Sequence, residues 1–435
     1  MSKLKTLFLE LLKRVLSSSL FKASGIYAIS SIFNAAIPLF LLPILTSRLT
    51  PADYGIVAMF QLIVNIIYPL IGMNLESSIS RKYYDKDNTD FSSYVGTCII
   101  LVAVNLLIST AVLYFLVESV SNITHVPKIW IKYSIIACIC QFLTTVLLTT
   151  YQIRIKPLNY GVYQILQSLV NIFLTLFFVV FLRHTWEGRL NAQLYTGIFF
   201  ALTSVILLLY TKQININIKK KDITHALKFG VPLIPHALGG LLFTAVDRFF
   251  LTSIVGLEQT GNYSVAYQLG AVINLITISF NNAYTPWLYG ELNKNCTVIK
   301  KKIVKFTYLY FVIISLLAIL VITVFPIIVN VFVGKKFSSI NSYSTFIVLG
   351  FVFQGMYYMV TNYIGYANKT YLLAIITISL GILKVPITYF LIKLLGPIGA
   401  SVSYCITFFL FFMATWILSA KVYKMPWFSF QQNDI

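Results

Sequence analysis

The stretch VKFTYLYFVIISLLAILVITVFPIIV, residues 304–329, carries Lys305 near its start and then 24 residues without another charge. A hydrocarbon core about 30 Å thick is crossed by about 20 apolar residues in a helix. No soluble core helix needs so long an unbroken apolar run, so the segment is a membrane span. Working outward between charge clusters, eleven further stretches of similar kind appear, near 24–47, 55–75, 93–117, 129–151, 160–182, 191–211, 229–255, 263–286, 343–366, 371–393 and 397–420. Composition agrees, with 58% hydrophobic residues, 11% charged residues and a mean hydropathy of +0.83 in 435 residues. The expected fold is an all-α integral membrane protein of about twelve transmembrane helices.

Lys and Arg are retained on the cytoplasmic side during insertion, so their placement in short loops sets orientation. With the N-terminus inside, cytoplasmic segments hold 23 of the 33 basic residues and the opposite loops hold eight. Both termini are therefore expected in the cytoplasm. The net charge of +20 would suggest nucleic acid in a soluble chain, but here orientation and anionic lipid heads account for it. The phospholipid bilayer is the expected partner, and no nucleic acid is.

The organisation expected is an amphipathic interfacial helix over 1–22, a six-helix bundle over 23–211, a basic cytoplasmic linker over 212–228, a second six-helix bundle over 229–420 and a cytoplasmic tail over 421–435. The first segment sets Leu4, Phe8, Leu11, Leu12 and Val15 at helical spacing among basic residues, and no small-residue cleavage site follows it. Six spans on each side of the linker give both halves the same polarity, as a parallel repeat requires. Gly25 and Gly230, Tyr54 and Tyr263, and Tyr160 and Tyr371 recur at offsets of 205, 209 and 211. The cysteines fall in spans, apart from Cys296 in an inner loop, and read as apolar filler without a disulfide framework.

Paired helical bundles of this kind are a frequent transporter plan, with substrate bound near the midplane. No phosphate-binding loop ending in Lys and Ser or Thr is present, so an ion gradient, the membrane potential or the substrate's own gradient must drive movement. No metal-ligand spacing appears among the four scattered His, and no cofactor is expected. With every loop short, neither an enzyme's long sugar-framing loops nor a positioned acid and base can be picked out.

Several short motifs stand in order along the chain. They are Leu49-Thr50-Pro51-Ala52-Asp53-Tyr54-Gly55 after the first span, Arg81-Lys82-Tyr83-Tyr84 after the second, Asp247-Arg248 in the seventh, Pro286-Trp287-Leu288-Tyr289 after the eighth and Gly396-Pro397-Ile398-Gly399-Ala400 before the twelfth. In these the chain resembles the polysaccharide transporters of the multidrug/oligosaccharidyl-lipid/polysaccharide exporter superfamily, the Wzx-like flippases of bacterial surface glycans. The resemblance implies a MATE-like V of two six-helix bundles in the bacterial inner membrane. It also implies a flippase that moves a polyprenyl-pyrophosphate-linked oligosaccharide, an O-antigen or capsule repeat unit, to the outer leaflet by alternating access. Lys384 departs from the polar uncharged residue such chains often carry there. A glycan polymerase is the candidate protein partner, and a monomer is the expected state.

Ionisable groups at membrane depth cost roughly 2.5 to 3.5 kcal/mol each on insertion scales, which makes them candidates for function. Lys384, close to the midplane, is a candidate for holding a pyrophosphate or acidic sugar, with pairing to a carboxylate for packing as the bland alternative. Arg248 is a candidate substrate clamp, and Asp247 beside it a coupling or structural residue. Neighbouring helix positions point about 100° apart, so these two need not pair with each other. Arg81 and Arg154 are candidates for a basic inner vestibule, Arg48 for the outer end of the first span, and Glu76 for coupling or structure near Arg81. His236, after Pro232 and Pro235, reads as a titratable group or as a donor to a carbonyl freed by the prolines. Asn34, Asn65, Asn171, Asn274 and Gln354 can bind sugar hydroxyls or bond across helices. The alternative function is an ion-coupled multidrug or small-cation exporter of the same superfamily, which would favour acidic groups in its cavity; this chain's span charges are mostly basic.

Overall fold

The computed structural model describes residues 19–85, 90–337, 339–367 and 369–427. Most of the expected interfacial helix over 1–22 and the tail beyond 427 lie outside them. Among the described residues every regular element is helical. The order is α1 Ser19–Arg48, α2 Pro51–Gly72, α3 Leu75–Tyr83, α4 Phe91–Thr124, α5 Lys128–Ile153, α6 Pro157–Thr175, α7 Trp186–Tyr210, α8 Lys220–Gly230, α9 Ile234–Ile254, α10 Leu257–Asn293, α11 Thr297–Phe332, α12 Ile340–Tyr366, α13 Thr370–Leu395 and α14 Ile398–Val422. Eleven helical stretches among the described residues are long and apolar enough to cross a membrane, and α1 adds the shorter apolar stretch Ala36–Arg48. Each of the twelve expected spans falls on one of these helices. The two elements the hydropathy profile passed over are short and polar: α3, and α8 within the basic linker.

Helix ends follow local chemistry. At the start of α2 the Thr50 N–H and hydroxyl donate to Asp53 Oδ2 at 2.9 and 2.7 Å, and the Asp53 N–H returns to Thr50 Oγ1 at 3.1 Å. This reciprocal cap satisfies backbone donors that the first turn leaves open, with Pro51 at a position that needs none. Gly396 ends α13 with φ of 64°, a conformation open to glycine, and Pro397 prevents continuation. α6 finishes in a π-helical turn, Leu176–Phe181, where the Leu182 N–H reaches the Phe177 carbonyl at 2.9 Å.

The described chain forms two compact units. One comprises the described residues up to Leu41, Ile63–Ser121 and Val126–Ile234, and the other Leu42–Leu62, Asn122–His125 and the described residues from Pro235 on. In the first, α5 packs on α7, and α3 packs on both α5 and α8. Ser168 Oγ donates to Asn34 Oδ1 at 2.8 Å, and Arg189 Nη1 donates to Asn171 Oδ1 at 2.7 Å, so both asparagines bond across helices.

In the second unit α12 packs against α10, α11 and α14, with α13 against α14. The end of α1 and the first half of α2 belong here, and the 49–55 motif explains why. Gly55 and Gly261 bring α2 and α10 so close that a Cβ on either would strike a backbone carbonyl, that of Leu257 or Pro51. Beside this contact the Tyr54 hydroxyl meets Gln268 Oε1 at 2.5 Å and its ring lies edge-on to Phe337.

Candidate functional site

Two of the span charges of the second unit meet in its interior. Asp247 lies on α9 and Lys384 on α13, and both side chains are fully buried. Lys384 Nζ donates to Asp247 Oδ2 at 2.6 Å and to the Phe243 carbonyl at 2.5 Å. The Tyr263 hydroxyl from α10 donates to the same Oδ2 at 3.1 Å. Thr388, one turn beyond Lys384, sits with its hydroxyl 3.5 Å from Asp247 Oδ1 and 2.6 Å from Ser403 Oγ of α14. The Tyr404 ring closes the cluster 5.2 Å from Lys384 Nζ. Groups from α10 and α13 thus meet on the α9 carboxylate, with α14 joined through Ser403, and the buried carboxylate and ammonium satisfy each other.

Arg248 follows Asp247 in sequence but points elsewhere. Its guanidinium lies 4.7 Å from the centroid of the Tyr267 ring on α10. Nε is buried without a hydrogen-bond partner, and no carboxylate lies within ion-pairing distance among the described residues. Lys384 neutralises Asp247, so Arg248 leaves this region one positive charge in excess. A cation so placed in a membrane favours an anion beside it.

Polar groups continue from that point along α10. Tyr267, Asn274 and Asn281 recur every seven residues on one helix face, a run of about 21 Å. From α12 the Tyr358 hydroxyl approaches Asn274 Oδ1 at 3.4 Å and accepts from Gln354 Nε2 at 3.3 Å. Asn362 Nδ2 donates to Asn281 Oδ1 at 2.9 Å, and Thr285 adds its hydroxyl at 3.2 Å from Asn362 Oδ1. Gln354 Oε1 is buried and unpartnered. The result is a cation joined to a half-buried strip of amides and hydroxyls.

The remaining candidates are described each within its own unit. Arg48 is exposed at the end of α1. His236 is exposed after the 3-10 turn Val231–Leu233 and makes no hydrogen bond among the described residues. In the first unit Arg81 is exposed and pairs with Asp85 at 3.2 Å, while Arg154 is exposed with its guanidinium 6.0 Å from the Phe91 ring centroid. Glu76, in α3, has a buried Oε2 without a partner, and burial raises its pKa above the ordinary carboxylate value. Near it Ser78 Oγ meets Tyr94 OH at 2.5 Å, Tyr94 OH meets His225 Nδ1 at 2.8 Å, and His225 Nε2 lies 3.7 Å from Asp85.

Tyr263, Tyr267, Thr388, Ser403 and Tyr404 were not singled out from sequence as site residues. Thr388 carried a usable signal, being a polar group one helical turn after a buried lysine. The tyrosines carried none among 28 of their kind.

Comparison with known proteins places this geometry in context. Residues 20–289 match a family model described as polysaccharide biosynthesis protein. An uncharacterized membrane protein of Haemophilus influenzae is 25% identical over 359 residues, 81% of this chain and 85% of that one. The Lsg locus putative protein 1 of the same organism is 23% identical over 359 residues, 81% of this chain and 86% of that one. Among solved structures, an inward-facing multidrug resistance MATE family transporter of the MOP superfamily superposes with a TM-score of 0.66 at 14% identity, over 90% of this chain and 94% of that one. An outward-facing structure of such a transporter gives 0.62 at 14% identity, over 94% and 97%. These structures share the fold.

Proposed function

The chain belongs to the polysaccharide biosynthesis protein family and has the MATE fold of the MOP superfamily, and on that premise we propose that it is a flippase for a lipid-linked oligosaccharide. The substrate is a polyprenyl-pyrophosphate carrying a sugar repeat unit, moved from the inner to the outer leaflet of the bacterial cytoplasmic membrane by alternating access. In this reading both termini are cytoplasmic, the protein works as a monomer, and a glycan polymerase receives the sugar.

The observation that carries the reading is the excess charge at Arg248. A guanidinium held against Tyr267, with an unpartnered buried Nε, suits a pyrophosphate or acidic sugar, which it can bind through several donors in one plane. The strip from Asn274 to Asn362 supplies amide and hydroxyl partners for sugar hydroxyls. Small-cation export is the weaker reading, because Asp247, the carboxylate it would draw on at this depth, is already occupied by Lys384.

Deletion in the native host tests the proposal. Loss of the surface polymer with accumulation of the lipid-linked intermediate on the inner leaflet is the expected result. Intact polymer without that intermediate would overturn the flippase reading.

A further inference from the structure

A long groove runs along the seam where α10 and α11 meet. Its first part is a cavity of about 700 Å³ that begins between Glu291 and Lys302. Its continuation, about 240 Å³, reaches Ile276 and Leu317 and shares Phe280 and Phe306 with the first. Fifteen residues separate Ile276 from Glu291, so the groove runs roughly 22 Å along the helix, of which about 15 Å, residues 276–286, falls within the expected span. Aromatic faces wall it: Phe280 stacks on Tyr310 at 4.8 Å and Tyr284 on Phe306 at 5.9 Å. Phe280 also stacks on Tyr284 at 5.7 Å.

The two ends differ in charge. The upper end is apolar. At the lower end Glu291 is taken by Lys294 at 2.5 Å, whereas exposed Lys302 has no carboxylate within ion-pairing distance among the described residues. The groove therefore pairs an apolar channel with a cationic mouth.

We propose that this groove holds the isoprenoid chain of the lipid carrier, with the phosphate end at Lys302. The identity of the lipid rests on the flippase reading above. Among the described lining residues the apolar part leads to a single free cation, which suits a chain under one anionic head. A polyprenyl phosphate has that shape, whereas a phospholipid brings two chains. The mouth lies at the lysine-rich end, where the proposed orientation puts the cytoplasm and where the loaded carrier arrives. The groove keeps the tail in the membrane while the sugar head is handed on.

Photolabelling of the full-length protein in nanodiscs with a diazirine-bearing polyprenyl phosphate tests this. Labels are expected on 276–291 and 299–317, competed by unlabelled polyprenyl phosphate about tenfold better than by dioleoylphosphatidylglycerol. Ala283→Trp, which fills the lower cavity, should remove the labels. Lys302→Gln should weaken labelling about tenfold, the value of one charge-assisted contact to phosphate. Equal competition by the phospholipid makes the groove a general lipid site and overturns the proposal, as do labels that map elsewhere. Those two results come from the unmodified protein and stand even if Ala283→Trp fails to fold. Groove labels with the expected competition, in a protein whose deletion leaves surface polymer intact, would support the groove and count against the flippase reading alone.

Discussion

Lys384 Nζ lies 2.6 Å from Asp247 Oδ2 with neither side chain open to solvent, joining α13 to α9 across 137 residues of sequence. Removing one partner strands the other charge in a low-dielectric interior, at a cost of about 3 to 5 kcal/mol. Lys384→Met and Asp247→Asn should each lower the melting temperature and the yield of folded protein. The double variant should recover most of the loss, because no uncompensated charge remains. Thermal melting in detergent across this cycle checks it, and equal damage in single and double variants would mean that the pair is not what holds α9 to α13.

Arg248 is expected to behave differently, since its charge is unpaired and its partner is a ring. Arg248→Gln forfeits the contact with Tyr267, worth about 0.5 to 2 kcal/mol, so folding should survive. Surface polymer should nevertheless fall about tenfold or more, in line with loss of a charge-assisted contact. Arg248→Lys keeps the charge without the planar fork and should fall between. Wild-type polymer levels in Arg248→Gln, measured at matched protein abundance, would remove this residue from the transport site.

The spans were legible in sequence because hydropathy over about 20 residues is a strong signal. All twelve land on helices, whereas the short helices α3 and α8 are too polar and brief to register. The site was half legible. Charges in apolar spans single out Asp247, Arg248 and Lys384 by their cost, but which of them pair depends on helix rotation. The direction of Lys384 toward Asp247, rather than toward substrate, emerges only from the packing of α13 against its neighbours. Tyr267 and the amide strip were hidden for another reason: a tyrosine or asparagine in a span has the same composition signal at an interface, in a core or in a binding site. The 49–55 motif was visible as a motif, yet its purpose, a close backbone approach at Gly55 and Gly261, is a tertiary fact.

Glu76 gives a pH prediction outside the spans. Burial raises its folded-state pKa, so the folded protein holds this proton at pH values where the unfolded chain has lost it. The sign follows: the contribution to stability is complete at low pH and is lost as pH rises through the folded-state pKa. Glu76→Gln, which fixes the neutral form, should therefore raise stability at neutral pH and flatten its decline between mildly acidic and neutral conditions. Melting curves over that range test it, and a variant whose pH profile matches wild type would show that the buried Oε2 finds a partner for its charge.

Cys296 offers a direct reading of orientation. It is exposed just before α11, whereas Cys98, Cys138 and Cys140 are buried. The N–H groups of Ile299 and Val298 lower its thiol pKa, with help from Lys302, so it forms thiolate at lower pH than an ordinary cysteine. A membrane-impermeant maleimide should therefore label Cys296 faster than the buried cysteines. With the lysine-rich loops in the cytoplasm, labelling should occur in inverted vesicles and be absent from intact cells. Labelling from the outside would reverse the assigned topology and put the Lys302 mouth of the α10–α11 groove on the wrong side to receive a carrier loaded in the cytoplasm. The same experiment therefore bears on both the flippase reading and the groove.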